Sequence, residues 1–170
     1  MEDASQIAIF VAVGALVGAA FVFLARWSAR WPQFGARRAL AYALIATAAL
    51  YVGLAFRSDR IGAWLGIELT GFAVYASFAL LGIVGSPWWL VAGFALHPFW
   101  HLQFHYVGTG SAFTPEWFTL GLTGFDVIAA AYVAYAILRD ADPSLRRRQP
   151  AAPEEPKLSR AARRAAKKLR

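Results

Sequence analysis

The chain has 170 residues, of which 59% are hydrophobic, 15% aromatic and only 16% charged, with a formal net charge of +7 and no cysteine. This composition lies outside the usual range of soluble domains and indicates an integral membrane protein. The lack of cysteine excludes disulfides, thiolate metal sites, cysteine nucleophiles and iron-sulfur clusters, so any metal must be held by nitrogen and oxygen.

Apolar stretches of about 20 residues, enough to cross a hydrocarbon layer of about 30 Å, recur along the chain with short polar breaks. The first stretch follows Glu2 and Asp3 and precedes no small-residue cleavage site, so we expect a retained helix rather than a signal peptide. The sequence predicts an all-α membrane bundle, residues 1–138, whose five transmembrane helices are about Gln6–Ala25, Ala39–Phe56, Ile61–Val84, Trp88–Val107 and about Trp117–Leu138.

The basic residues predict how this bundle is oriented. Four arginines fill the first connection, the third and fourth connections contain no Lys or Arg, and most of the remaining basic residues follow the fifth helix. Placing the first connection and the carboxy terminus in the cytoplasm leaves only Arg57 and Arg60 outside, which satisfies the positive-inside rule. We therefore expect a multi-pass protein of the inner (plasma) membrane with its amino terminus outside.

Residues 139–170 form a basic segment with several prolines, which we expect to be a largely disordered cytoplasmic tail. Attraction of its basic side chains to anionic lipid, worth about 1 kcal/mol per residue near the surface, is an alternative role. No motif supports nucleic-acid binding, and none is expected.

Small-residue pairs indicate close helix packing. Gly14 and Gly18 in the first helix, and Gly62 and Gly66 in the third, share a face at a spacing of four. We favour contacts inside one bundle, with a homo-oligomer face or a partner in a membrane complex as alternatives.

Ionisable residues inside the apolar stretches point to a functional site, because burying such groups in a membrane is costly. His97, His101 and His105 are four apart and form a stripe on the fourth helix, while Glu68 and Asp126 lie in the third and fifth. With about 1.5 Å of rise per residue, the histidines at 97 and 101 and both acids lie about 9 to 15 Å below the outer surface. The sequence thus predicts a common site in the outer-leaflet half.

An adjacent pair in such a histidine stripe can hold one metal ion, but the end members are about 12 Å apart and cannot share it. Another helix must supply a further ligand. The candidate metal ligands are His97, His101, His105 and Asp126, and the expected ion is divalent, Zn or Fe. Such an ion could activate water to attack a lipid or another apolar substrate, with Glu68 as the candidate general base.

The segment ALHPFWHLQFHYVGTGSAFTPEWFTLGLTGFDVIAAAYVAYAI, residues 95–137, resembles the signature half of a family of small bacterial polytopic membrane proteins of uncharacterised function. The shared pattern is three histidine positions four apart on one helix, followed by a Trp and a late Asp. In this chain these are His97, His101, His105, Trp117 and Asp126, with His101 where that family more often has Asp. The His-x3-His element and the intramembrane Asp are also similar, as chemical analogy, to ceramidase-like membrane hydrolases, whose zinc is held by histidines and an Asp.

Three classes of function stay open at this point. The same residues would serve a metal-dependent enzyme, would pass protons or a cation in a transport component, or would lock helices together in a non-catalytic accessory subunit. Walker loops, nucleophile elbows and the His-Glu-x-x-His motif are absent from the sequence.

Overall fold

The computed structural model describes residues 2–28, 30 and 35–145. Within them the chain forms no strand and five α-helices: α1 (Glu2–Ser28), α2 (Ala36–Ala55), α3 (Ile61–Val84), α4 (Trp88–His101) and α5 (Glu116–Leu138). A π-helical segment, Leu102–Val107, continues α4, and single 3-10 turns occupy Thr109–Ala112 and Pro143–Leu145. The predicted all-α class is therefore confirmed.

Four helices in the described part of the chain, α1, α2, α3 and α5, are long and apolar enough to cross a membrane. The α-helical part of α4 has only 14 residues, because the hydrogen-bonding pattern changes after His101. Large apolar side chains on the outer surface, such as Leu16, Phe99 and Leu138, are each exposed by more than two thirds. Large exposed apolar side chains of this kind are expected where a helix faces lipid.

Glycines allow α1 to lie directly against α5. A Cβ atom on Gly14 would be 1.7 Å from the carbonyl oxygen of Gly121, and one on Gly124 would be 2.0 Å from that of Val11. The first predicted glycine pair thus packs inside the bundle. Gly62 and Gly66 differ, because a Cβ on either would meet nothing within 4 Å.

The remaining helices surround a buried core. α2 packs against α3, and α4 lies against both α3 and α5. Side chains with no exposed surface, including Leu40, Leu44 and Phe94, fill the space between them. Because α2, α3, α4 and α5 meet in this way, polar side chains at similar depth can come together.

Arg37 closes the end of the bundle where α3 and α5 finish. Its guanidinium donates hydrogen bonds to the carbonyl oxygens of Gly82 and Gly85, and to that of Leu145 at 3.2 Å. The positive charge also lies at the carboxy-terminal end of α3, where the helix dipole favours a cation. Sequence reasoning placed Arg37 in a loop, whereas α2 begins at Ala36 and buries it.

The start of the predicted tail packs on the same end. Asp142 accepts hydrogen bonds from the Tyr132 hydroxyl and, at 2.9 Å, from the backbone N–H of Ser144, and Arg26 lies 4.0 Å away. Burial alone would raise the pKa of Asp142, but these hydrogen bonds and the charge of Arg26 bring it below its ordinary value. Leu145 is buried beside them. Residues 146–170 lie outside the described part of the chain.

We predict that replacing Arg37 with Gln destabilises the bundle by roughly 2 to 4 kcal/mol, because buried carbonyl groups lose their charged donor. Thermal unfolding of the purified protein in detergent measures the effect. Arg38→Gln is the matched control, since the neighbouring side chain is exposed. Equal unfolding temperatures for the two variants would contradict the role given to Arg37.

Candidate metal centre

Three of the predicted site residues converge on one atom. His97 Nδ1 lies 2.9 Å from Asp126 Oδ2, and His101 Nε2 lies 3.2 Å from the same oxygen. All three side chains are buried, with at most 1% of their surface exposed. α4 presents both histidines on one face, because residues four apart differ by only about 40° in direction, and α5 packs against that face.

The geometry of this group fits a metal ion. One ligand atom from each of His97, His101 and Asp126 lies within 4.8 Å of the others. Ligands of a tetrahedral ion at about 2.1 Å from the metal are about 3.4 Å apart, which is near the 2.9 and 3.2 Å that separate Asp126 Oδ2 from the two histidine nitrogens. Asp126 Oδ1 and His101 Nδ1 are buried with no hydrogen-bond partner among the described residues. The site therefore retains unused donor and acceptor capacity.

His105 belongs to a second group. Its Nε2 lies 3.0 Å from Glu68 Oε1, and its Nδ1 lies 3.0 Å from the hydroxyl of Thr114. His105, Glu68 and Thr114 are each buried, so both ring nitrogens and one carboxylate oxygen are satisfied without solvent. His105 is thus not part of the three-residue metal group, and Glu68 contacts His105 rather than Asp126.

The π-helical segment explains why the predicted histidine stripe divides. His105 lies within Leu102–Val107, where backbone hydrogen bonds run from i to i+5 and each residue turns through a smaller angle than in an α-helix. The direction of His105 relative to His101 therefore departs from the α-helical stripe. His97 and His101 face α5, whereas His105 faces α3.

The ring of Tyr51 connects the two groups. It stacks on His105 with ring centroids 4.4 Å apart and on His101 at 5.6 Å, and it meets the edge of His97 at 6.2 Å. Tyr51 is 1% exposed, and Thr119 lies next to its hydroxyl. On the other side, Tyr75 packs edge-on against His97 at 4.5 Å.

Tyr51 and Thr114 were not predicted as site residues. Tyr51 lies about 6 Å from the outer end of its helix, which is close to the depth of the other site residues. A comparison of depth that included hydroxyl-bearing residues as well as acids would have identified it. Thr114 lies in a segment taken for a connection, and no sequence pattern shows that its side chain turns inward.

Comparison of the chain with protein-family models, with curated proteins and with solved structures gave no match. The resemblance of residues 95–137 to the small bacterial family, and the analogy to ceramidase-like hydrolases, stay predictions.

We predict that Glu68→Ala lowers the stability of the bundle by roughly 1 to 3 kcal/mol, because it leaves His105 Nε2 buried without its acceptor. Glu68→Gln retains an acceptor oxygen and should recover most of the loss. Unfolding in detergent is the measurement, and Glu116→Ala, at the exposed start of α5, is the control. A Glu68→Ala protein as stable as this control would show that the pair does not hold α3 to the π-helical segment.

Proposed function

We propose that this chain is a multi-pass protein of the bacterial inner membrane that binds one divalent metal ion through His97, His101 and Asp126. The convergence of three ligand atoms within 4.8 Å, in fully buried side chains of two helices, carries the proposal. The unpartnered Asp126 Oδ1 adds support, because a buried carboxylate oxygen without a donor is costly unless another group occupies it.

Two imidazoles and one carboxylate are a donor set used for Zn and for Fe(II) in proteins, and they leave room for a further ligand. When bound there, the metal would supply a water nucleophile near neutral pH. The site would thus suit hydrolysis of a lipid or another apolar substrate that reaches it from the membrane. Glu68 remains the candidate base, and because its Oε1 is hydrogen-bonded to His105, a proton that it takes up would be shared with that imidazole.

Metal analysis of the purified protein tests the proposal. We expect about one Zn or Fe per chain after exposure to stoichiometric metal and removal of excess, because the donor set is complete in one chain. Asp126→Asn should reduce retained metal at least ten-fold, and Glu68→Gln, the matched change in the other buried carboxylate, should leave it unchanged.

Two outcomes would contradict this assignment. One is a wild-type protein that stays folded and retains less than about a tenth of an ion per chain. The other is an equal loss of metal in Glu68→Gln and Asp126→Asn, which would make His105 and Glu68 part of the same centre.

Proton or cation movement is a second candidate, supported by the closeness of the two buried polar groups. Thr114 and His105 belong to one group and His101 and Asp126 to the other, and the Tyr51 ring stacks on a histidine of each. Both imidazoles can also donate to the same oxygen of Asp126, so these contacts form without a metal ion. Proton flux into liposomes that is lost in Asp126→Asn, from a protein free of metal, would favour this function.

The proposed topology has five crossings, with the amino terminus outside and the carboxy terminus in the cytoplasm. α4 and the π-helical segment together provide 20 consecutive helical residues, about 30 Å of rise, which supports a crossing by this pair. The site would then lie in the outer half.

Because the chain has no cysteine, single cysteines can report this topology. We predict that Ser111→Cys, in the loop before α5, reacts with a membrane-impermeant maleimide in intact cells. Ser86→Cys, in the connection between α3 and α4, should react only after the membrane is opened. Both positions are exposed, so access to the reagent depends on the side of the membrane. The opposite labelling pattern would overturn the topology.

A further inference from the structure

A polar cavity of about 410 Å³ opens at the end of the bundle nearest His105. It lies between the α2–α3 connection and the 3-10 turn Thr109–Ala112. Its rim and walls are formed by residues 57–60 and by Thr109 and Ala112, and its floor by Trp64 and Phe113. A volume of this size is typical of sites for small molecules or for the head of a larger one.

The cavity carries a pair of cations. Arg57 and Arg60 are the basic side chains at this end among the described residues, and both line it. No ion pair or side-chain hydrogen bond engages either guanidinium within the described part of the chain, although Asp59 lies between them in sequence. α3 starts at Ile61 with no acidic residue in its first turn, so its dipole adds to the positive potential.

The floor is aromatic. Trp64 and Phe113 form an edge-to-face pair with centroids 4.9 Å apart, and both pack against His105, at 5.5 and 5.7 Å. The cavity is thus separated from the buried groups by one layer of rings. Beside its rim, Phe56 and Ile61 expose apolar surface on the flank of the bundle. A ligand in this cavity would therefore meet positive charge at the rim and apolar side chains at the floor and on the flank.

We propose that this cavity binds the anionic phosphodiester headgroup of a membrane lipid, with the phosphate between Arg57 and Arg60. Guanidinium groups bind phosphate oxygens through paired N–H donors, and the position at the helix ends matches the depth of a headgroup. The acyl chains would lie along the apolar flank beside Phe56. This site does not depend on the metal proposal, because none of its residues belongs to the metal group.

Native mass spectrometry of the full-length protein, released from detergent containing either phosphatidylglycerol or phosphatidylcholine, tests the assignment. We expect retention of phosphatidylglycerol, with at least five-fold weaker binding in the double variant Arg57→Gln/Arg60→Gln. The control Arg38→Gln/Arg139→Gln removes two exposed arginines at the other end of the bundle and should bind as the wild type does. The basic residues of 146–170 are present in every protein compared.

Ala112→Trp is a second variant that fills the cavity and leaves its charge intact, and it should weaken binding by a similar factor. Unchanged retention in both the double variant and Ala112→Trp would overturn the proposal, as would equal retention of phosphatidylcholine. Displacement of phosphatidylglycerol by millimolar glycerol 3-phosphate would also overturn it, by showing that a soluble phosphate is preferred. All folded variants should keep the wild-type metal content, so failure of this site is distinguishable from failure of the metal centre.

Discussion

The arrangement of the helices depends on the pairing of ionisable groups that have no access to water. Two carboxylates and three imidazoles lie inside an apolar bundle with at most 2% of their surface exposed. An unpaired charge there costs several kcal/mol, so each carboxylate needs a partner, and each has it on another helical segment. Asp126 is paired with α4 and Glu68 with the π-helical segment, which makes α4 the common neighbour of α3 and α5.

The face of α5 opposite Asp126 packs against α1, and helical geometry links this contact to the direction of Asp126. Gly124 and Asp126 are two residues apart, which corresponds to about 200° around an α-helix. Gly124 meets the backbone of α1, so Asp126 is directed toward α4. A side chain at position 124 would displace α5 and move the carboxylate with it. Close backbone contact on one face therefore fixes the geometry of the candidate metal centre on the other.

The helices were predictable from the sequence because apolar runs of membrane-crossing length are separated by charges and prolines. Depth along each run then predicted that Asp126 would meet His97 and His101, which is correct. The partner of His105 was not predictable, because it depends on a change from α to π hydrogen bonding that no residue pattern specifies. Pro98 suggests a disturbed helix, but α4 continues through it to His101.

Arg37 shows a second limit of sequence reasoning. A basic residue beside an apolar run predicts an interfacial loop, and the count of such residues predicts orientation. The buried hydrogen bonds of Arg37 depend instead on where α3 ends and where the chain returns after α5. Such contacts between segments more than 40 residues apart are set by tertiary packing, which a hydropathy pattern cannot predict.

The two buried groups differ in how many of their polar atoms have hydrogen-bond partners. This difference distinguishes a group that only joins helices, a lock, from one that could bind a ligand. In the group of His105, Glu68 and Thr114, each ring nitrogen has a partner, so this contact between helices is complete without a further ligand. In the group of His97, His101 and Asp126, one oxygen serves two imidazoles while Asp126 Oδ1 and His101 Nδ1 have no partner among the described residues. Joining α4 to α5 needs only one of these histidines. The second histidine and the unused carboxylate oxygen are therefore donor atoms beyond what a lock needs, in a group that could hold a metal ion.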